Sequence, residues 1–538
     1  MADIYDFVPN GDWTSIQTNR TIEADHAMKN RLFPLFCLVF VLAPSLVMGE
    51  GAWFYWNDFS GGLNVNEISQ AQPSNTMIVL QNAFTKGTKL NKIGGFVRRS
   101  NISAPIKSFT SYYNDSSNVK YLLASSETEL YASSNAGYTF TTIISSPNLW
   151  VVGTGGLQFT EWHHKLFIAN RKDVVFGVLQ PVLIWNGTNF LENSFMPSSA
   201  FVKEQANVLW CAGFADAPKQ VWVSEPGSDS VFGDFIFDVH GARADKIMGV
   251  FDIQNYMIFV MGSGITQVYG NTNETFGQTP LVYGSGMKSV NSFFKLQSGF
   301  VGWTDNGFFF FDGGKVNHIS DPIDPMLRDS VYRPSIQTIC GVAWRDGLLV
   351  AVPFGWDIWN TRVFWMNTQT GAWTEWKGSS TDLLNGLSIG AFRVLDYPEG
   401  TDTLLWGTNQ GMSGTPGIFS YKKDYDSLTD MIAQTPFIDA GEATAEKQLQ
   451  QYYVDAAFDY GNGLQVSFYK DYNMTTALWV DTILSITPAS RSAIYITDCK
   501  ASVYGKNISM RVQSLHADTT VISRMGMMLA PAREVRDE

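Results

Sequence analysis

The sequence predicts an all-β protein: a β-propeller of about six or seven blades followed by a C-terminal β-sandwich-like domain. Three observations lead there. Short runs of alternating or aromatic residues recur from position 57 to 430, each closed by Gly, Asn, Asp or Pro, and no long helical period interrupts them. The runs group into units of roughly 40–50 residues, the size of one propeller blade. The composition suits strands joined by tight turns, with 14% aromatic residues, 47 glycines and only 16% charged residues.

Taken in order, the propeller is expected over residues 101–430. Strand pairs are read at 121–125 with 129–132, then at 165–170, and at 181–185 before Asn186-Gly187. The run 220–224 ends at Glu225-Pro226-Gly227, and 256–261 ends at Gly262-Ser263-Gly264. The clearest hairpin joins 299–303 to 308–311 through Asn306-Gly307 and closes on Asp312-Gly313-Gly314. Asn-Gly and Asp-Gly mark such turns because these residues tolerate positive φ. Runs at 348–353, 362–367, 404–407 and 417–421 continue the series. A propeller solves the edge problem that one open sheet of so many strands would face. A sandwich pair or a β-helix would be the alternatives.

Within the first unit, Ser133-Ser134-Asn135-Ala136-Gly137-Tyr138-Thr139-Phe140 approximates the S-x-D-x-G-x-T-W box of sialidase-like propellers, with Asn135 in place of Asp and Phe140 in place of Trp. The box is a hairpin device in which a side-chain carbonyl caps the turn, and it implies no catalysis. After 430 the texture changes, and strands at 452–458, 464–469, 493–497 and 509–514 suggest the sandwich-like domain over 431–523. Residues 524–538, Met-rich and then charged, read as a loose tail.

The N-terminal arm, 1–56, contains the apolar run LFPLFCLVFVLAPSLVM from Leu32 to Met48. Lys29 and Arg31 precede it and Gly49-Glu50-Gly51 follows. It reads as a secretory signal, as an apolar arm buried on a neighbouring subunit, or as an upstream extension of a chain starting at Met48. The run is short for a spanning helix.

The formal charge of −13 argues against a protein that grips nucleic acid over its whole surface. It is compatible with a channel through which DNA slides without sticking. Cys37, Cys211, Cys340 and Cys499 are far apart and read as small buried hydrophobes, not as a zinc or disulfide framework. Catalytic motifs such as H-E-x-x-H or a P-loop are absent from the sequence. His163-His164 read as a strand-end pair that cannot easily clamp one metal. The acid pairs Asp321/Asp324, Glu225/Asp229 and Asp305/Asp312 sit in turn-rich loops where acids are expected. A calcium site at Asp321–Asp324 is conceivable but unsupported, since no full loop of oxygen ligands surrounds them in the sequence. The sequence therefore predicts no enzyme, no cofactor and no metal.

Residues 58–100 carry an ordered pattern: Phe59, Gly61, Gly62, Leu63, Asn64, then Pro73, Gln81, Asn82, Gly94, Arg98 and Arg99, with Ser100 where the pattern would have glycine. Further on come Trp162 to Asn170 with Leu183-Ile184-Trp185-Asn186-Gly187, and Leu209-Trp210-Cys211-Ala212-Gly213 with Val221-Trp222-Val223-Ser224-Glu225 and Phe232. Together these resemble the tail nozzle, or tail-tube hub, proteins of short-tailed bacteriophages, of the packaged-DNA-stabilisation type. The resemblance covers most of 57–376. It implies a ring of subunits, commonly six, below the portal and adaptor, continuing the DNA exit channel and supporting fibres or a needle. It also implies a place in the virion after assembly in the host cytoplasm. On this reading 57–100 is a threading segment, and Phe59, Gly61, Gly62, Leu63, Asn64, Gln81, Asn82, Arg98 and Arg99 form a subunit or adaptor interface. The partners expected are the chain itself, the adaptor, fibre or needle proteins, and passing DNA. The alternative is a secreted β-propeller that binds or cleaves glycans.

Overall fold

The computed structural model describes residues 51–532, apart from 69–70, 101, 146–155, 171–180, 192–194, 243–244, 271–275, 285, 297, 378–387, 396–402, 409–415, 423–429, 442–443, 459–462, 485–492, 500–502 and 516–518. The apolar run 32–48 lies outside the described residues, as does Cys37. Among the described residues no helix is long and apolar enough to cross a membrane.

Five antiparallel four-stranded meanders follow one another, each a separate sheet. They begin at Ser108–Asn114, Leu157–Trp162, Phe201–Gln205, Ile247–Ile253 and Phe294–Leu296, and the fifth ends at Val316–His318. Two further runs of four antiparallel strands lie inside a 15-stranded sheet. One comprises Cys340–Trp344, Gly347–Pro353, Asn360–Asn367 and Trp373–Trp376. The other comprises Ile389–Leu395, Thr403–Thr408, Ile418–Lys422 and, from far upstream, Gly95–Ser100.

Turn chemistry explains the meanders locally. Trp162 pairs with Lys165 and Gln205 with Val208, so each loop has two residues. Those residues, His163-His164 and Ala206-Asn207, all take positive φ between 48° and 62°, as a two-residue hairpin turn of matching twist requires. The Ser133–Phe140 box does what its sequence suggests. The Asn135 carboxamide oxygen accepts from the Thr139 amide at 2.9 Å, and the Ser133 hydroxyl accepts from the Gly137 amide at 2.9 Å, with Gly137 at φ 89°.

Strand pattern then sets packing. Successive sheets share apolar cores: Leu123 and Leu130 with Ile168 and Trp185, and Phe167 and Ile184 with Leu209 and Cys211. Trp210, Val223, Phe251, Phe259, Phe300 and Phe309 join the third, fourth and fifth meanders. Trp303 and Phe308 meet Val350 and Phe364, and Trp344 and Trp365 meet Trp406. Finally Leu405 and Ile418 pack on Phe109 and Leu122, which returns to the first meander. This circular adjacency is a β-propeller, so the fold is all-β in class. Among the described residues a helical insert interrupts it, over Asp321–Ile323, Asp324–Ser330 and Arg333–Thr338.

The remaining strands form two facing layers. A seven-stranded sheet contains Ala52–Trp56, Ala83–Lys86, Lys89–Lys92, Lys447–Phe458, Ala493–Asp498, Tyr504–Gly505 and Thr520–Pro531. Its Tyr452, Val454, Met525 and Met527 pack on Leu464, Val466, Phe468, Met510 and Val512 of the large sheet. Two expected boundaries change. The stretch from Arg524 to Pro531 is no loose tail: it continues a twelve-residue strand whose Met525, Met527 and Leu529 are buried. Met525, Met527 and Leu529 stand two residues apart, so all three face the core, while Met528 between them is half-buried. Nor is 57–100 a separate segment, because its strands are built into both large sheets.

Electrostatics adds a tie across three meanders. Asp252 of the fourth accepts from Lys203 of the third and Lys295 of the fifth, both at 3.1 Å. Burial raises the Asp252 pKa, but the two lysines outweigh it and hold the carboxyl below its ordinary value.

Two predictions follow from this packing. Phe96 lies edge-on to Trp406 at 4.5 Å and beside Trp376, in the core closed by the upstream strand. Phe96→Ala should lower unfolding stability by about 3–5 kcal/mol in denaturant titration. Because the native Asp252 pKa is depressed, its contribution is present above the unfolded carboxylate value, about 3.9, and is lost as pH falls through the native value. Asp252→Asn should therefore destabilise at pH 7 and make little difference near pH 2, measured as the melting-temperature gap between variant and parent.

Candidate functional site: the groove at the propeller junction

Residues 59–92 stitch the two layers to the propeller. Gly62 pairs with both Thr76 and Trp373 in parallel. A side chain at Gly62, with φ 65°, would sit 2.7 Å from the Trp373 carbonyl oxygen, so glycine is needed for this approach. The strand Val79–Gln81 then lies between Ile432–Gln434 on one side and Trp373–Trp376 on the other. Asn82 turns the chain at φ 55°. Its side-chain Nδ2 donates to the Asp430 carbonyl at 2.9 Å, and its side-chain Oδ1 accepts from the Lys377 amide at 2.8 Å.

The set expected to face a neighbouring subunit is mostly turned inward. Phe59, Gly62, Leu63, Asn64 and Asn82 are buried within the chain, and the close approach at Gly61-Gly62 is to Asn75, Thr76, Ala372 and Trp373 of the same chain. They form an internal junction, because the segment supplies strands that the large sheets would otherwise lack. Gln81 donates to Glu375 at 2.8 Å, and Glu375 is also paired with Arg362. Arg98 is exposed yet holds the Ser100 and Pro416 carbonyls at 3.1 Å, and Arg99 lies 4.1 Å over the Tyr138 ring.

Leu63 and Gln81 also line an open groove of about 420 Å³ at this junction. Its floor and walls are apolar: Leu80, Met326, Phe437, Tyr472 and Met474, with Glu67 and Glu375 at the polar margin. Tyr472 and Met474 are exposed. Tyr472 packs on Phe437 at 5.0 Å and is held at φ 63° by a turn in which the Asp471 carboxylate accepts from the Lys506 and Asn507 amides. Burial, then Asp439 and Asp471, raise the Tyr472 pKa, so the phenol stays neutral at physiological pH. A second groove of about 270 Å³ shares Gln72 and Phe437 and extends toward Tyr55 and Ile438. Such a surface accepts apolar side chains. Its two acids disfavour phosphate. No local sequence pattern marks Met326, Phe437, Tyr472 and Met474 as neighbours, because the groove gathers five distant segments.

The remaining polar candidates have structural partners. Asp229 pairs with Lys165 and Asp305 with Lys288. Asp312 caps its own hairpin by accepting from Gly314 and Lys315, and those bonds hold its pKa low. His163 contacts Asn207 at 3.1 Å while His164 pairs with Asp115, so the two rings serve different partners. Asp321 and Asp324 do meet, together with His318. Cys211 and Cys340 are buried, and burial raises both thiols, Cys211 to about 12.

No family model and no curated protein matches the chain. Among solved structures it is similar to the extracellular domain of a candidate one component system of B. thetaiotaomicron, at 14% identity and TM-score 0.41, over 72% of this chain and 47% of that one. The chain thus spans about half the length of that neighbour. It is also similar to YCF48 bound to D1 peptide, at 8% identity and TM-score 0.36, over 65% and 99%. The WD40 domain of Neurospora crassa Pan2 is a third, at 9% identity and TM-score 0.35, over 63% and 97%.

The junction yields its own test. Asn82→Ala removes two hydrogen bonds and places a β-carbon residue without amide chemistry at positive φ. It should cost about 2–4 kcal/mol, and Asn82→Gly less, since glycine keeps the backbone geometry. Urea denaturation of the two variants separates the backbone share from the hydrogen-bond share.

Proposed function

We propose that this protein is a non-catalytic structural subunit of a short-tailed phage tail, forming an oligomeric nozzle ring that continues the DNA exit channel. The observation that carries the reading is the ordered resemblance from Phe59 to Arg99, whose residues are the ones that weld the propeller to the two-layered body. A nozzle wall must be stiff, and welding by shared strands gives one rigid unit instead of two hinged domains. On this reading the two runs inside the large sheet are the sixth and seventh blades, with Gly95–Ser100 closing the ring. The two facing layers are the sandwich-like domain, completed by upstream strands. The groove bearing Tyr472 and Met474 receives an apolar element of the neighbouring subunit. An acidic chain lets DNA pass without adhering.

Mass photometry and negative-stain imaging of the full chain test this. The expected result is a closed ring of about six copies with a through-channel, reduced to smaller species by Met474→Asp. A protein that stays monomeric at every concentration, alone and with its adaptor, overturns the reading.

A further inference from the structure

Beyond the groove, one side-chain cluster has the composition and spacing of a ligand set. His318 ends the last strand of the fifth meander, and Asp321 and Asp324 follow in the helical insert. The His318 Nε2 atom lies 2.7 Å from Asp324 Oδ2 and 3.3 Å from Asp321 Oδ1, and all three donor atoms fall within 4.8 Å of one another. Zinc bonds nitrogen and carboxylate oxygen at about 2.0–2.2 Å, so tetrahedral ligand atoms stand about 3.4 Å apart. The three donors already straddle that separation.

The surroundings fix one of them, Asp324. Ser320 is fully buried; its hydroxyl accepts from the Phe308 amide at 2.9 Å and donates to Asp324 Oδ1 at 2.7 Å. That bond occupies one carboxylate oxygen and leaves Oδ2 turned toward His318, the arrangement by which outer-shell groups orient a metal ligand. Gly307 packs against the same unit at φ 125°, where a β-carbon would lie 2.3 Å from the Ser320 hydroxyl and 2.9 Å from Asp324 Oδ1. Asp321 is largely exposed, so solvent can reach the remaining coordination position.

We propose that His318, Asp321 and Asp324 bind one zinc ion, with water as fourth ligand, and that Ser320 positions Asp324 for it. One imidazole and two carboxylates suit zinc better than calcium, which takes six to eight oxygens. The site would tie the fifth meander to the insert. The insert already plants Ile323 and Leu327 in the core of the facing layers, and its Pro322 carbonyl accepts from the Val65 amide at 2.8 Å. The ion is therefore structural, joining blade to body.

Calorimetric titration of the metal-stripped full chain with zinc chloride, paired with thermal melts, tests this independently of ring formation. One equivalent should bind saturably and raise the melting temperature. His318→Ala and Asp324→Asn should each abolish both effects, and Ser320→Ala should weaken affinity about 10–100-fold. Circular dichroism checks that the variants remain folded, and the milder His318→Gln substitutes if His318→Ala does not. Absence of saturable zinc binding, or binding unchanged by the His318 and Asp324 substitutions, overturns the proposal. Calcium displacing zinc at equal concentration overturns the assigned metal class.

Discussion

The structure depends on one pairing above all: Gly95–Ser100 zipped along Ile418–Lys422, more than 300 residues downstream. The pairing gives the last run of strands its fourth member, and Phe96 enters the aromatic core beside Trp406 and Trp376. A circle of sheets needs such a closure, because each sheet can bury its faces only if both neighbours are present. With it, the core that starts between the first two meanders runs around to Leu405, Ile418 and Phe109 without a gap. The Gly94 amide, donating to the Tyr421 hydroxyl at 2.9 Å, adds a polar latch at the same place.

The same upstream segment carries a second task. Before it reaches the ring it supplies Val79–Gln81 and the hairpin Ala83–Lys86 with Lys89–Lys92 to the facing layers. Phe84 of that hairpin is wedged among Trp344, Trp365 and Trp376. Propeller and layers therefore share side chains as well as hydrogen bonds. Loss of either anchor exposes edges on both, and unpaired edges invite association with the wrong chain. The groove with Tyr472 and Met474 is shaped by this weld: it lies where segments from both bodies meet.

Much of the fold was legible in the residues, and the particulars show why. Asn306-Gly307, His163-His164 and the Ser133–Phe140 box mark turns whose chemistry is local, so their positions can be read directly. The helical insert at 321–338 went unnoticed, since Asp-Pro-Ile-Asp-Pro looks like loop and its burial comes from Ile323 and Leu327 meeting distant strands. The final strand was hidden for a similar reason. Met527 and Leu529 form a core face only because Lys447–Phe458 and Ala52–Trp56 flank them. For the candidate sites, Asp321 and Asp324 could be named from spacing, but not His318 turning toward them.

By itself the sequence determined the all-β class and most of the propeller strands with their turns, because alternation and turn residues act within a few positions along the chain. It also showed an ordered pattern over residues 59–99. Only the tertiary structure decided where that pattern sits. Phe59, Leu63 and Asn82 face inward and not toward a neighbour, because the strands they belong to complete sheets assembled from both ends of the chain. Pairings across 300 residues leave no mark in local pattern: they are selected by which edges and apolar faces remain uncovered once the local hairpins have formed.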